Sequence, residues 1–294
     1  MTRLNGNATT STPGHASGLT RRQALQAGAA TFVGYALSVD KVLAQAITTD
    51  TSGIVAGDYT VRIGIYDMPV YEARPVSATN APIVLAISEV FGVHEWIKDV
   101  TRRFAKAGFH CVAPELFQRE GGVGQLSNIQ DVLKIVLAVP RTQLLGDIAA
   151  AGDWARTRPG VRADRVGVTG WCWGGGVVYQ VAATNPDVKA AVAWYGPLRL
   201  SFPDSPTSPT GFDVAKDITA PFLGLYGEGD QNPSPAEVQR FIELLKPRNP
   251  TAEAVVYPVA GHGFFADYRP SYSAAAAADG WKRCFAHFDA HLRA

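Results

Sequence analysis

The chain has 294 residues, 27 basic and 26 acidic, for a formal net charge of +1. That near balance, with no Lys/Arg cluster interleaved with aromatics, excludes a phosphate-tracking groove and a nucleic-acid partner. With 47% hydrophobic and 18% charged residues the composition fits neither a disordered nor a membrane-embedded protein, and the length suits one large α/β domain.

The first segment reads as an address. Residues 1–19 are rich in Thr, Ser, Asn and Gly, and lead into Thr20-Arg21-Arg22-Gln23-Ala24-Leu25, an apolar stretch over 27–39, and Ala44-Gln45-Ala46. Paired arginines, a short apolar region and a small-x-small end resemble a twin-arginine export signal cleaved after Ala46. The resemblance implies contact with export machinery and a periplasmic or secreted product, with a cytoplasmic enzyme as the alternative. The apolar stretch is too short for a stable membrane anchor. Cleavage would remove four basic side chains and one acidic, taking the net charge from +1 to −2.

Residues 47–294 are expected to form a single domain. Residues 59–66 alternate like a half-exposed edge strand. Short apolar runs at 83–87, 165–168, 190–194, 222–226 and 254–257 are what strands look like when helices cover both faces of a parallel sheet. Helical periodicity separates them at 96–107, 143–156, 176–184, 236–245 and 272–292. The alternation predicts a doubly wound, mostly parallel α/β sheet whose ligand crevice lies beyond the carboxyl ends of the strands. The Pro-rich stretch 201–212 reads as a surface excursion near the mouth of that crevice.

Three cysteines, Cys111, Cys172 and Cys284, without a C-x-x-C spacing, argue against a disulfide framework, a zinc site or a redox pair. Cys111 in an apolar strand and Cys284 on the last helix read as inert core thiols. Cys172 differs. It sits in Gly170-Trp171-Cys172-Trp173-Gly174-Gly175, between a strand and a helix, the setting of a nucleophile elbow and so of an α/β-hydrolase fold. A helix N-terminus there favours thiolate over thiol, and the Trp173 N–H is aimed at an oxyanion.

That fold carries its catalytic groups in the chain order nucleophile, acid, histidine. Asp230 follows the run 222–226, and His262 follows the run 254–257. An imidazole can take the thiol proton and return it to the leaving oxygen when a carboxylate fixes its tautomer. Glu228 is the rival to Asp230. His287 and His291, four apart on the last helix, read as a solvated face rather than metal ligands, and no metal or organic cofactor is expected. Glu89, beside Val90, Phe91 and Trp96, is a poorly solvated carboxylate sensitive to the protonation of its neighbours.

Together Glu89-Val90-Phe91-Gly92, Gly170-x-Cys172-x-Gly174-Gly175, Leu225-Tyr226-Gly227-x-x-Asp230 and the segment from Gly261-His262-Gly263-Phe264 to Tyr268-Arg269-Pro270-Ser271-Tyr272 resemble the dienelactone hydrolase (carboxymethylenebutenolidase) family. The resemblance implies a triad of Cys172, Asp230 and His262, a Glu89 that pairs with Cys172 and takes its proton when substrate arrives, and an oxyanion hole from the N–H groups of Val90 and Trp173. It departs at one point: the arginine that grips a substrate carboxylate four residues after the histidine is here Ala266, with Arg269 three residues further on, and the upstream segment 130–139 offers Lys134 but no arginine. Phe91, Trp171, Tyr195, Phe264 and Arg269 are the candidate substrate contacts. The expected activity is hydrolysis of a small ester or lactone through a thioester, with a monomer favoured as the working form; a general carboxylesterase or thioesterase is the alternative. A thiol redox protein lacks a resolving cysteine, and a non-catalytic binding protein would have no use for the full Cys, His, Asp and Glu set.

Overall fold

A computed structural model describes residues 47–203 and 208–294. The segment read as an export signal, with Arg21 and Arg22, lies outside the described residues, as does part of the Pro-rich stretch. Eight strands form one sheet in the order β1-β2-β4-β3-β5-β6-β7-β8. They are β1 (Ile54–Ile63), β2 (Tyr66–Pro75), β3 (Ala81–Ile87), β4 (His110–Pro114), β5 (Val161–Trp171), β6 (Val188–Trp194), β7 (Phe222–Gly227) and β8 (Glu253–Tyr257). Strands β3 to β8 pair in parallel, and β1 and β2 add an antiparallel edge. The reading of a doubly wound, mostly parallel α/β sheet is correct.

The helices are α1 (Glu95–Lys106), α2 (Ile129–Val136), α3 (Arg141–Arg156), α4 (Trp173–Thr184), the single turn α5 (Gly211–Val214), α6 (Pro235–Leu245) and α7 (Ala274–Leu292). Strand β3 is buried throughout, as its unbroken Ala-Pro-Ile-Val-Leu-Ala-Ile run requires. Among the described residues no helix is long and apolar enough to cross a membrane.

Three expectations need correction. The run 59–66 is not one strand: Gly64, at φ +60°, turns the chain between β1 and β2, because only glycine adopts that left-handed conformation without strain. Helix α4 starts at Trp173 rather than Gly176, directly on the elbow. His287 is not solvated, since its Nε2 bonds the Pro221 carbonyl at 3.2 Å and burial lowers its pKa to about 4.

The elbow exists because three backbones cross without side chains between them. A Cβ on Gly170 would stand 2.4 Å from the Gly174 carbonyl oxygen, and one on Gly174 would stand 2.3 Å from that of Ile87 at the end of β3. Neither carbonyl can move, as each belongs to the sheet or to the first turn of α4. Gly174→Ala is therefore expected to cost roughly 4 kcal/mol or more, read as a loss of soluble protein or a fall in Tm of at least about 10 °C.

At the opposite end of the sheet, a buried ion cluster ties the antiparallel edge to the parallel core. Arg158 forks onto Glu72 of β2 through two bonds of 2.9 Å, and His110 Nε2 of β4 lies 2.8 Å from the same carboxylate. Burial raises the Glu72 pKa, but the hydrogen bonds from His110 and Arg158 outweigh it and hold the group down at about 2. A carboxylate depressed by folding stabilises the protein fully above its unfolded pKa, about 4.3, and loses that contribution as pH falls toward about 2. Replacing Glu72 by Gln is expected to flatten the dependence of Tm on pH between those limits, which acid melting curves would measure.

Candidate active site

The carboxyl ends of β3, β5, β7 and β8 lead into the segments that carry Glu89, Cys172, Asp230 and His262. Cys172 stands between the last residue of β5 and the first of α4, with φ +53° and ψ −121°. Among the described residues only Cys172, Tyr195 and Val259 are non-glycine residues at positive φ, a strain that persists where surrounding structure enforces it. The enforcement is visible: Cys172 N–H donates to the Trp194 carbonyl at 3.1 Å, and its own carbonyl accepts from Gly176 at 3.1 Å.

Asp230 and His262 arrive on two loops sewn together by main chain. Glu228 N–H donates to the Tyr257 carbonyl and Gly229 N–H to that of Ala260, both at 2.9 Å. His262 Nδ1 then meets Asp230 Oδ2 at 2.7 Å, while the other carboxylate oxygen takes Asn232 N–H at 2.8 Å. Facing the carboxylate, Nδ1 keeps its proton, so Nε2 is the nitrogen that can give up or accept one. Burial acts to lower the His262 pKa, yet its interactions with Cys172 and with the Asp230 carboxylate outweigh it and raise it to about 10. Glu228 is exposed and turned to Val259, so of the two acids it is Asp230 that meets the histidine.

Glu89, two residues past β3, is fully buried. Its Oε2 accepts from the Tyr268 hydroxyl at 2.5 Å and from Arg269 Nη2 at 3.0 Å. The resemblance led us to expect its bonds on Cys172; here they go to Tyr268 and Arg269 instead. A guanidinium in the same buried space offers a charge, and a carboxylate without one would be far costlier to bury. Tyr268 was missed as a site residue. Its position next to Arg269 was the only signal, and nothing in the sequence says that both turn toward Glu89.

Val90 lies in a turn closed by Gly92 N–H on the Glu89 carbonyl at 3.3 Å. Trp173 N–H belongs to the first turn of α4, where amides have no acceptor within the helix. A second group the sequence did not flag, Glu115, fixes the loop from below: its two oxygens accept from Val93 N–H at 2.7 Å and Phe117 N–H at 3.2 Å.

The aromatic candidates divide. Phe91 is half-buried with the Arg269 guanidinium 5.3 Å above its ring, and Tyr195 sets its ring 5.1 Å from that of His262. Phe264 packs edge-on to Tyr195 at 5.4 Å. Trp171 is buried in the core, stacked against Phe265 at 6.1 Å and edge-on to Trp96 at 5.7 Å. Lys134 is at the surface on Asp131. Cys111 and Cys284 are buried, and burial pushes both thiols far up. Among the described residues no group of three or more His, Cys, Asp or Glu is arranged to hold a metal ion.

A strand-turn-helix elbow bearing a cysteine, with a carboxylate-bound histidine beside it on a mostly parallel eight-stranded sheet, defines an α/β-hydrolase. Residues 68–292 match the profile of the dienelactone hydrolase family. The chain belongs to that family and, with it, to the lactone and ester hydrolases. A relative in Methylorubrum extorquens, provisionally named a carboxymethylenebutenolidase, is 45% identical over 90% of this chain and 91% of its own. One of the same name in Escherichia coli K12 is 42% identical over 87% of this chain and 94% of its own. A crystal structure from Klebsiella pneumoniae, provisionally described as a dienelactone hydrolase, superposes with a TM-score of 0.75 at 43% identity, covering 80% of this chain and 98% of that one.

Proposed function

We propose that the protein hydrolyses a small lactone or ester by covalent catalysis through Cys172. The observation that carries this reading is the 2.7 Å bond from His262 to Asp230, beside the strand-turn-helix elbow that bears Cys172. The thiolate attacks the substrate carbonyl, and the oxyanion that forms is held by the N–H groups of Val90 and Trp173. Collapse breaks the carbon–oxygen ester bond, the leaving oxygen takes a proton from His262, and the acyl group stays on sulfur as a thioester. His262 then draws a proton from water, whose oxygen attacks the thioester and releases the acid and the thiolate.

Ala266 in place of the gripping arginine weakens the family's case for a carboxylated substrate, and the preference for one is proposed here on Arg269 instead, the cation that lies 5.3 Å over the Phe91 ring beside Glu89. The alternative is a general carboxylesterase or thioesterase. Mass spectrometry of enzyme quenched during turnover is expected to find one acyl group on the Cys172 peptide, and a panel of neutral and carboxylated esters is expected to show a lower KM for the carboxylated members. An unmodified Cys172 peptide under saturating substrate would sink the thioester, and equal KM values would favour the general esterase.

The site is also proposed to work outside the cytoplasm, after residues 1–46 have served as a twin-arginine leader. Export that survives Arg21→Lys with Arg22→Lys would argue for another route.

A further inference from the structure

The residues that follow Ala46 are built into the protein. Thr49 N–H donates to Asp99 Oδ1 at 2.5 Å, and the Thr49 hydroxyl reaches Asp99 Oδ2 at 3.3 Å. Arg103 bridges the two acids here, with Nε 2.7 Å from Asp99 Oδ2 and Nη2 2.6 Å from Asp267 Oδ2. The same guanidinium also touches the Ile47 carbonyl at 3.4 Å. The main-chain N–H of Ile47 hydrogen-bonds the Asp267 carboxyl group.

Asp99 is well supplied, since Arg102 Nη2 also lies 3.2 Å from its Oδ1, but Asp267 is short of donors. The Asp267 side chain is 1% exposed, and its Oδ1 has no partner of good geometry among the described residues. Burial raises the Asp267 pKa, and the bond and charge of Arg103 do not fully offset it. A buried carboxylate in that position gains from a second cation. A peptide N–H brings one fixed donor and no charge, whereas an ammonium brings three rotatable donors and a full charge.

We propose that Asp267, with Arg103 and Asp99, is a receptor for the α-ammonium group of Ile47, created when the leader is removed between Ala46 and Ile47. The proposal rests on the leader reading given above. Hydrolysis of that bond by a signal peptidase consumes one water and leaves a carboxylate on Ala46 and an ammonium on Ile47. The new charge stands at the carboxylate whose nearest amide it replaces, with no rearrangement of the chain from Thr49 onward. Asp267 directly precedes Tyr268 and Arg269, so the ion pair locks the segment that holds Glu89. Removal of the leader thereby tightens the active site from 220 residues away along the chain, as counted from Ile47 to Asp267.

The test compares the exported, processed protein with the full chain retained by the double substitution Arg21→Lys, Arg22→Lys, each with Asp267 and with Asp267→Asn. N-terminal sequencing is expected to find Ile47 first in the exported form. Its Tm at pH 7 is expected to exceed that of the full chain by roughly 3 °C. An ammonium whose pKa is raised by folding stabilises fully below its unfolded value, about 8, and loses that contribution as pH rises further. The gap is therefore expected to narrow progressively above about pH 8 and to vanish in the Asp267→Asn background, whatever that substitution does to both forms. A different first residue would overturn the proposal by removing the leader reading beneath it. Ile47 in first place with an equal Tm, or with the same gap in the Asp267→Asn background, would overturn the receptor itself.

Discussion

Cys172→Ala is expected to lower turnover of an activated aryl ester by about 10⁴-fold or more, in line with the loss of a nucleophile from a triad, while the protein keeps its fold. The reasoning rests on what each group can still do. Without sulfur, Asp230 still meets His262, and the proposed oxyanion hole of Val90 and Trp173 is untouched, so a residue of catalysis by binding and oxyanion stabilisation is expected to survive. No acyl group can accumulate. Stability should change little, because the elbow is imposed by the crossing glycines and by the bond from Cys172 N–H to Trp194, none of which needs the thiol. Cys172→Ser separates chemistry from shape: it keeps a nucleophile of similar size, but a hydroxyl is intrinsically a far weaker nucleophile than a thiol near neutral pH. The serine variant is thus expected to fall between wild type and alanine. An alanine variant with ordinary steady-state turnover would remove Cys172 from the mechanism.

What the sequence could say about this site follows from how local each signal is. The elbow was legible because strand, glycines, cysteine and helix are contiguous, and the steric need for glycine at 170 and 174 is itself a statement about close backbones. Asp230 and His262 were legible because a parallel sheet delivers its strand ends to one face, so position after a strand predicts position in space. The geometry between Glu89, Tyr268 and Arg269 was not. Those residues are about 180 positions apart, and their pairing depends on which way side chains turn on two loops that no periodicity governs. The β1–β2 hairpin was misread for a related reason: Ile63, Ile65 and the residues around Gly64 continue an alternating pattern straight through the turn, although Ile65 is almost fully exposed. The cluster of Glu72, His110 and Arg158 was invisible because isolated charges in strands and loops give no hint of burial.

Arg269→Met is expected to be the most damaging substitution outside the triad and the elbow. It removes the only guanidinium bonded to Glu89 among the described residues, leaving a fully buried carboxylate with the Tyr268 hydroxyl as its remaining named donor. Breaking a buried pair by deleting one partner costs about 3–5 kcal/mol, which for a domain of this size corresponds to a fall in Tm of roughly 10 °C. Glu89 can respond by taking up a proton or by turning away from the vacated space, and either response changes its relation to Cys172. Adding Glu89→Gln to Arg269→Met removes the orphaned charge, so most of the lost Tm should return. Activity should not return with it, because the double variant has neither the carboxylate nor the cation beside the elbow. A carboxylated ester should then lose its KM advantage over a neutral one of the same size. Recovery of stability together with recovery of that advantage would mean that Arg269 serves packing alone, and the preference for anionic substrates would have to come from another group.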